Sequence, residues 1–170
     1  MNIFVTDESP WKSAAVLPDK HIVKMPLETC QMLSIVASDK WGHAYGTLPK
    51  KDGKPYATEK GAFRNHPCTV WANETLANTR WLLAHGFALC QEYAARYEKD
   101  HTCYTTLLAA DKIIPDVTWD NHTPFVRAMP EEYKFDHSIT TIEAYKMYIA
   151  SKPWVSDNYL RIPHRKPDWI

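Results

Sequence analysis

Four polar side chains, His21, Lys24, Glu28 and Gln31, follow one another at spacings of three, four and three. The run that carries them is otherwise apolar, with Ile22, Val23, Met25, Leu27, Met32, Leu33, Ile35 and Val36. On a helix those spacings put all four on one face. A carboxylate beside an amine and an imidazole is equipped to cleave a bond between a sugar and its leaving group. The carboxylate of Glu28 would stabilise an oxocarbenium-like centre or activate water. The amine of Lys24, once deprotonated, would trap the sugar as a Schiff base. His21 would orient the carboxylate. The same quartet also suits a core network whose members satisfy one another, because ionisable groups in an apolar helix must be paired or kept for chemistry. Spacing alone does not choose between the two. Pro26 removes one backbone bond between Lys24 and Glu28. It is expected either to bend one helix and open a pocket there, or to mark the boundary of two.

A second group, Arg64-Asn65-His66, stands ahead of Pro67. Proline suits a first helical turn, which would put the trio at the positive end of a helix, where phosphate is held. Asn65 serves equally well as a simple helix cap. Gln31 is a further substrate-binding candidate, and Trp41, Tyr45 and Trp71 are candidates for stacking on a base. Neither a metal nor a cofactor is expected. A di-iron bundle needs two Glu-x-x-His pairs, and only Glu98-x-x-His101 is present. His21–Glu28 and His85–Glu92 are each seven apart, about 10.5 Å along a helix, too far to chelate one ion alone. Nucleophile-elbow and phosphate-loop motifs are absent.

The elements that must position these groups read as helices. The chain has 170 residues, 45% of them hydrophobic, which suits one all-α domain spanning residues 1–170 with a real core. After an extended start, helices are expected over Trp11–Val16, from Asp19 to about Ser38, and from Thr69 to about Lys99 with a break near Asn73–Thr75 or at Gly86. Others follow at Thr102–Asp111, Pro130–Tyr133 and Ser138–Ala150. Residues 39–64 hold four of the five glycines and the run Lys50-Lys51-Asp52-Gly53-Lys54. They read as a long flexible loop, either a flap over a substrate or a disordered segment, with a small hairpin at Asp52-Gly53. The irregular tail 152–170 interleaves Trp154, Tyr159 and Trp169 with Arg161, Arg165 and Lys166. It either wraps the domain or offers basic and stacking groups to a ligand.

Lysines and arginines balance aspartates and glutamates at twenty each. Residues 12–64 are nevertheless basic, with nine cationic against five anionic side chains, and 92–143 are acidic, with five against ten. A local phosphate-binding face fits that layout. Binding of duplex DNA leans on phosphate neutralisation, so zero net charge disfavours it and favours a nucleotide. The four cysteines show no metal spacing and read as reduced, buried thiols of a cytoplasmic protein. No signal peptide or membrane span is expected.

A histidine seven residues before a glutamate, early in an all-α chain, resembles the phage pyrimidine-dimer DNA glycosylase (endonuclease V-like) family. The likeness continues through His66-Pro67 and the segment Trp81–Tyr97. It implies a compact helical fold, base extrusion, and attack at the anomeric carbon assisted by Glu28. In that family the nucleophile is the α-amine of a small residue exposed by methionine removal. Here Asn2 occupies the second position, so Met1 is expected to stay. Lys24 is the only cation between His21 and Glu28 where the family carries arginines. The stretches Asp19–Met25, His66–Ala72 and Ala128–Tyr133 also resemble small uncharacterised phage proteins, for which host-cell cytoplasm would be the location.

Two functions follow. One is a glycosylase-like hydrolase acting on a nucleobase–sugar bond in DNA or a nucleotide. The other is a non-enzymatic phage protein that binds a nucleotide or a host protein through the loop and tail. Glu28→Gln separates them: an enzyme loses activity and keeps its fold, whereas a core network loses stability because Lys24 would be left as an uncompensated buried charge.

Overall fold

The computed structural model describes residues 1–170 as seven α-helices and three short 3-10 turns, with no strand. The helices are α1 (Pro10–Ala15), α2 (Asp19–Ala37), α3 (Pro67–Glu74), α4 (Leu76–Tyr97), α5 (Tyr104–Ile113), α6 (Glu131–Lys134) and α7 (Thr141–Ala150). One buried cluster runs from Ile3 to Tyr159, so a single core serves the whole chain. No helix is long and apolar enough to cross a membrane.

Local chemistry sets the boundaries. Ser9 caps α1 by accepting from Lys12 N–H, and Pro10 fills the first position. Thr75, in an extended conformation, separates α3 from α4 and accepts from Asn78 N–H at 3.1 Å. Thr79 Oγ1 then donates back to Ala72 O at 2.7 Å, which ties the two helices end to end. Thr140 and Glu143 form a reciprocal capping box at α7.

The chain therefore breaks at Thr75 and not at Gly86. Gly86 marks a close approach instead: a Cβ there would lie 2.9 Å from Leu107 on α5 and 2.9 Å from Thr29 on α2. The missing side chain lets α4 pass beside the residue next to Glu28. Pro26 lies inside one continuous α2, which rules out the two-helix alternative.

The segment 39–64 builds a small hairpin, with a bridge between Pro49 and Pro55, a Lys50 N–H to Lys54 O bond of 2.8 Å, and Gly53 at φ +81°. Leu48, Tyr56 and Thr58 are buried. Ser34 and Thr58 share a hydroxyl bond of 2.6 Å, and Thr106 donates to Pro49 O at 2.6 Å. These anchors set the loop against the C-terminal half of α2 and against α5, away from Glu28.

The tail wraps the domain and finishes the helix that matters most. Pro18 offers no side-chain cap to α2. Asn158 supplies one from 138 residues away: its Oδ1 accepts from Lys20 N–H and its carbonyl from Asp19 N–H, each at 2.8 Å. Tyr159 donates to Val16 O at 2.6 Å, and Leu160 N–H donates to Asp19 at 2.9 Å.

Arg96 locks the same region from α4. Its fully buried guanidinium reaches Asp19 at 3.1 Å, Glu92 at 3.3 Å and the carbonyls of Ala15 and Leu17. Removing it leaves buried Asp19 without a cation and Glu92 with only the partly exposed Arg165 at 3.1 Å. Arg96→Met is expected to cost about 3–5 kcal/mol, read as a loss in denaturant midpoint at unchanged m-value. A loss under about 1 kcal/mol would show that water or Arg165 takes its place.

Candidate functional site

The first six residues are pinned before any helix begins. Asn2 Oδ1 accepts from Ile3 N–H (2.7 Å) and Phe4 N–H (3.0 Å), while its amide donates to Ala128 O at 2.7 Å. Ile3 and Val5 are buried, and Thr6 exchanges bonds with Ser13. Phe4 is held at φ +44°, a strained conformation for an aromatic residue. That twist lays its ring on His21, centroids 4.1 Å apart and planes within 17°.

The result is a cavity of about 360 Å³ on the N-terminal half of α2, lined among others by Met1, His21, Lys24, Glu28, Lys152 and Trp154. Glu28 Oε2 lies 3.6 Å from the Met1 amino nitrogen, and Oε1 lies 3.4 Å from Lys24 Nζ. The Glu28 side chain is only 10% exposed, and Met1 is half-buried with its side chain packed inward. One carboxylate thus faces the α-amine, with Lys20, Lys24 and Lys152 around the same space. Cationic charge is in surplus there, and an anion suits the cavity.

His21 stays neutral. Burial first, then the charges of Lys152 and Lys24, push its pKa down to about 3. It makes no hydrogen bond to Glu28, and its Nδ1 is buried without a partner. Its faces are taken by Phe4 and by the edge of Trp154, 5.7 Å away. His66 caps α3 by accepting from Cys68 N–H at 3.1 Å. Its pKa is lowered by burial and by the Met1 amine, with Glu28 acting in the opposite sense. His66 therefore feels the charges of the amine–carboxylate pair, although it lines none of the cavity.

The structure brings His21, Lys24 and Glu28 together in one cavity, and leaves His66 outside its lining and the other expected site residues elsewhere. Arg64 is exposed, with its guanidinium 4.2 Å above the Trp41 ring and a bond to Gly61 O. Trp41 donates to Lys60 O, and Asn65 is exposed. Tyr45 stacks on His43 with centroids 5.5 Å apart. Gln31 is half-buried one turn beyond Glu28 and lines none of this cavity. Trp71 is 3% exposed, packed against Trp81 and Phe125. Lys24 is 70% exposed at its side chain. The expectation that it would be the buried charge left by loss of Glu28 is corrected: Lys24 reaches solvent.

Missed from sequence were Phe4, Lys20, Tyr148 and Lys152, whereas the α-amine entered only through the family resemblance and Trp154 only as a stacking group of the tail. Tyr148 lies in the last turn of α7 and Lys152 just beyond its end, so no helical spacing marked the pair in the sequence. A separate cavity of about 360 Å³ between α4 and α5 is lined by Trp11, Phe87, Cys90 and Tyr104. It gathers no amine beside a carboxylate. No group of three or more His, Cys, Asp or Glu is placed to hold a metal ion.

Residues 1–105 match the family model described as pyrimidine dimer DNA glycosylase. No curated protein and no solved structure matches the chain. The matched stretch carries the amine, His21, Lys24, Glu28 and His66, whereas Tyr148, Lys152 and Trp154 lie beyond it.

Both His21 and the fully buried His85 have pKa values pushed down to about 3, chiefly by burial. Between that value and about 6.5 the unfolded histidines bind protons that the folded ones refuse. Their contribution is complete above pH 6.5 and is lost as pH falls. The double variant His21→Phe/His85→Leu is expected to shed about 1.4 kcal/mol less per histidine per pH unit between pH 6 and 4. Urea titrations of both proteins across that range measure the difference; parallel curves would refute the assignment.

Proposed function

The chain belongs to the pyrimidine dimer DNA glycosylase family, and on that footing we propose that it cleaves a nucleobase–sugar bond by imine chemistry in the Glu28 cavity. The observation that carries this is the Met1 amine lying 3.6 Å from a nearly buried carboxylate. Unprotonated, that amine is the nucleophile. Its lone pair forms a bond to C1′ while the glycosidic bond breaks, and that bond's electron pair leaves with the base, which takes up a proton. Loss of the second amine proton and opening of the C1′–O4′ bond give a C1′=N imine and a free O4′ hydroxyl.

Glu28 has two parts in this. It is the nearest proton acceptor for the amine, and its charge stabilises the positive C1′ centre of the transition state. Lys24, 3.4 Å from the other carboxylate oxygen, acts as electrostatic partner. Neutral His21 fixes the position of Phe4 and the edge of the cavity rather than the carboxylate. Lys20 and Lys152 hold phosphate next to the sugar. The substrate is DNA, with a nucleotide as the smaller alternative that the same cavity would admit.

The test is incubation with pyrimidine-dimer duplex, undamaged duplex, single strands and nucleotides, with borohydride present and released base measured by mass spectrometry. A reduced adduct is expected on the Met1 peptide and is expected to survive Lys24→Met. Glu28→Gln should lower base release at least about 100-fold in a protein that still folds. Neither base release nor adduct from any substrate would overturn the reading, and an adduct at Lys24 would reassign the nucleophile.

A further inference from the structure

One stripe of α4 is the floor of an open groove between α1 and α5. Arg80, Leu83, Phe87, Cys90 and Ala94 follow at spacings of three, four, three and four, which is the period of a single helix face. Two cavities open along that face. One, about 360 Å³, reaches Asp100 and Tyr104; the other, about 310 Å³, reaches Asp111, Asp116 and Trp119. Trp11 of α1 and Phe87 line both, so the two are continuous. From Arg80 to Ala94 the floor measures about 21 Å, or about four turns. None of these residues lines the Glu28 cavity.

The groove is apolar in the middle and anionic at its ends. Trp11 is 44% exposed, with neither a ring nor a cation against it, and Tyr104 is 40% exposed and meets Phe87 edge to face at 6.0 Å. Val117, at the other end, is 41% exposed. Large apolar groups left in water along one groove make a patch of the kind that marks an interaction site. Asp100 has no ion-pair partner, and the Asp116 side chain is 96% exposed, with Arg80 no nearer than 3.9 Å. Arg80 is the only lysine or arginine lining the groove, and it is spent on Asp111 and on the carbonyls of Ile114 and Pro115. Both nitrogens of His101 are turned to backbone groups, of Cys103 at 3.0 Å and Val23 at 2.9 Å. Residues 92–143 as a whole carry five cationic against ten anionic side chains. Such a face repels a phosphate backbone and suits a chain with apolar anchors and basic ends.

We propose that this groove is the docking site for a basic amphipathic helix of a partner protein, about four turns long. Its apolar face lies on Trp11, Phe87 and Tyr104, and its terminal cations meet Asp100 and Asp116. A helix suits the groove because floor and walls are themselves helices, into whose ridges its side chains can pack, and the fold offers no strand edge for an extended peptide. Docking here is independent of the chemistry at Glu28, and Glu28→Gln is expected to leave it unchanged.

Selection of random sixteen-residue peptides on the immobilised full chain, followed by fluorescence anisotropy of the enriched sequences as labelled synthetic peptides, tests this. The enriched peptides are expected to carry apolar residues at spacings of three and four, with lysine or arginine near their ends. Trp11→Ala should weaken their binding at least about tenfold. Asp100→Asn and Asp116→Asn should each weaken it by up to about fivefold, less at high salt. Both aspartates are exposed, so their variants keep the test valid should Trp11→Ala fail to fold. Peptides that are acidic, that are apolar at every second position, or that ignore all three substitutions overturn the inference, as does a selection that yields no saturable binder. Sedimentation velocity of the chain alone covers the other occupant. A concentration-dependent dimer abolished by Trp11→Ala would assign the groove to a second copy and overturn the partner helix.

Discussion

A nearly buried carboxylate kept beside an amine is the constraint on which the rest of this structure depends. Neither group stays where it is by its own bonding. The amine is fixed because Asn2 spends its side chain on Ile3, Phe4 and Ala128, and because Phe4 accepts a positive φ to lie on His21. The carboxylate is fixed because α2 is clamped at its start by Asn158 and by the Arg96–Asp19 pair, and approached closely at Thr29 by Gly86. The first and last parts of the chain thus converge on one helix. Strain at Phe4 and burial of Arg96 with its carboxylates are costs borne elsewhere to hold about 3.6 Å between two atoms.

Electrostatics then fixes the protonation of the surroundings. Lysines crowd a single carboxylate, and the imidazole between them gives up its proton. A charged His21 would add to an unmatched positive field and would lose solvent as well. Held neutral, it serves as a flat apolar spacer between Phe4 and Trp154. The cation surplus that adds to burial in silencing His21 is also what makes the cavity receptive to phosphate.

Much of the fold was legible because helix signals are local. The periodicity of α2, the break at Thr75 and the existence of α7 follow from residues within a few positions of each other. Gly86 was ambiguous, since a glycine that breaks a helix and one that lets two helices touch look alike until the neighbour is known. The candidate site was legible only along one helix, where His21, Lys24 and Glu28 share a face. Arg64 and Trp41 are paired with each other, and Trp71 faces the core; residue type alone does not reveal whether a cation or a ring is already occupied. The α-amine and the Lys152–Trp154 wall come from opposite ends of the sequence, and no spacing rule reaches that far.

That long reach bears on how the family's chemistry is carried in this chain. The matched residues 1–105 contain the amine and the carboxylate but not the cap on α2 or the ring stack around Lys152. A helix start without a side-chain cap leaves its first N–H groups to find another acceptor, and here the acceptor is Asn158. The same stretch of tail that completes α2 also places Trp154 in the wall of the Glu28 cavity. The start of α2 and the shape of the cavity beside it are therefore set by one segment. Loss of the Asn158 cap would reach both, which ties the wall of the cavity to how the helix carrying Glu28 is held.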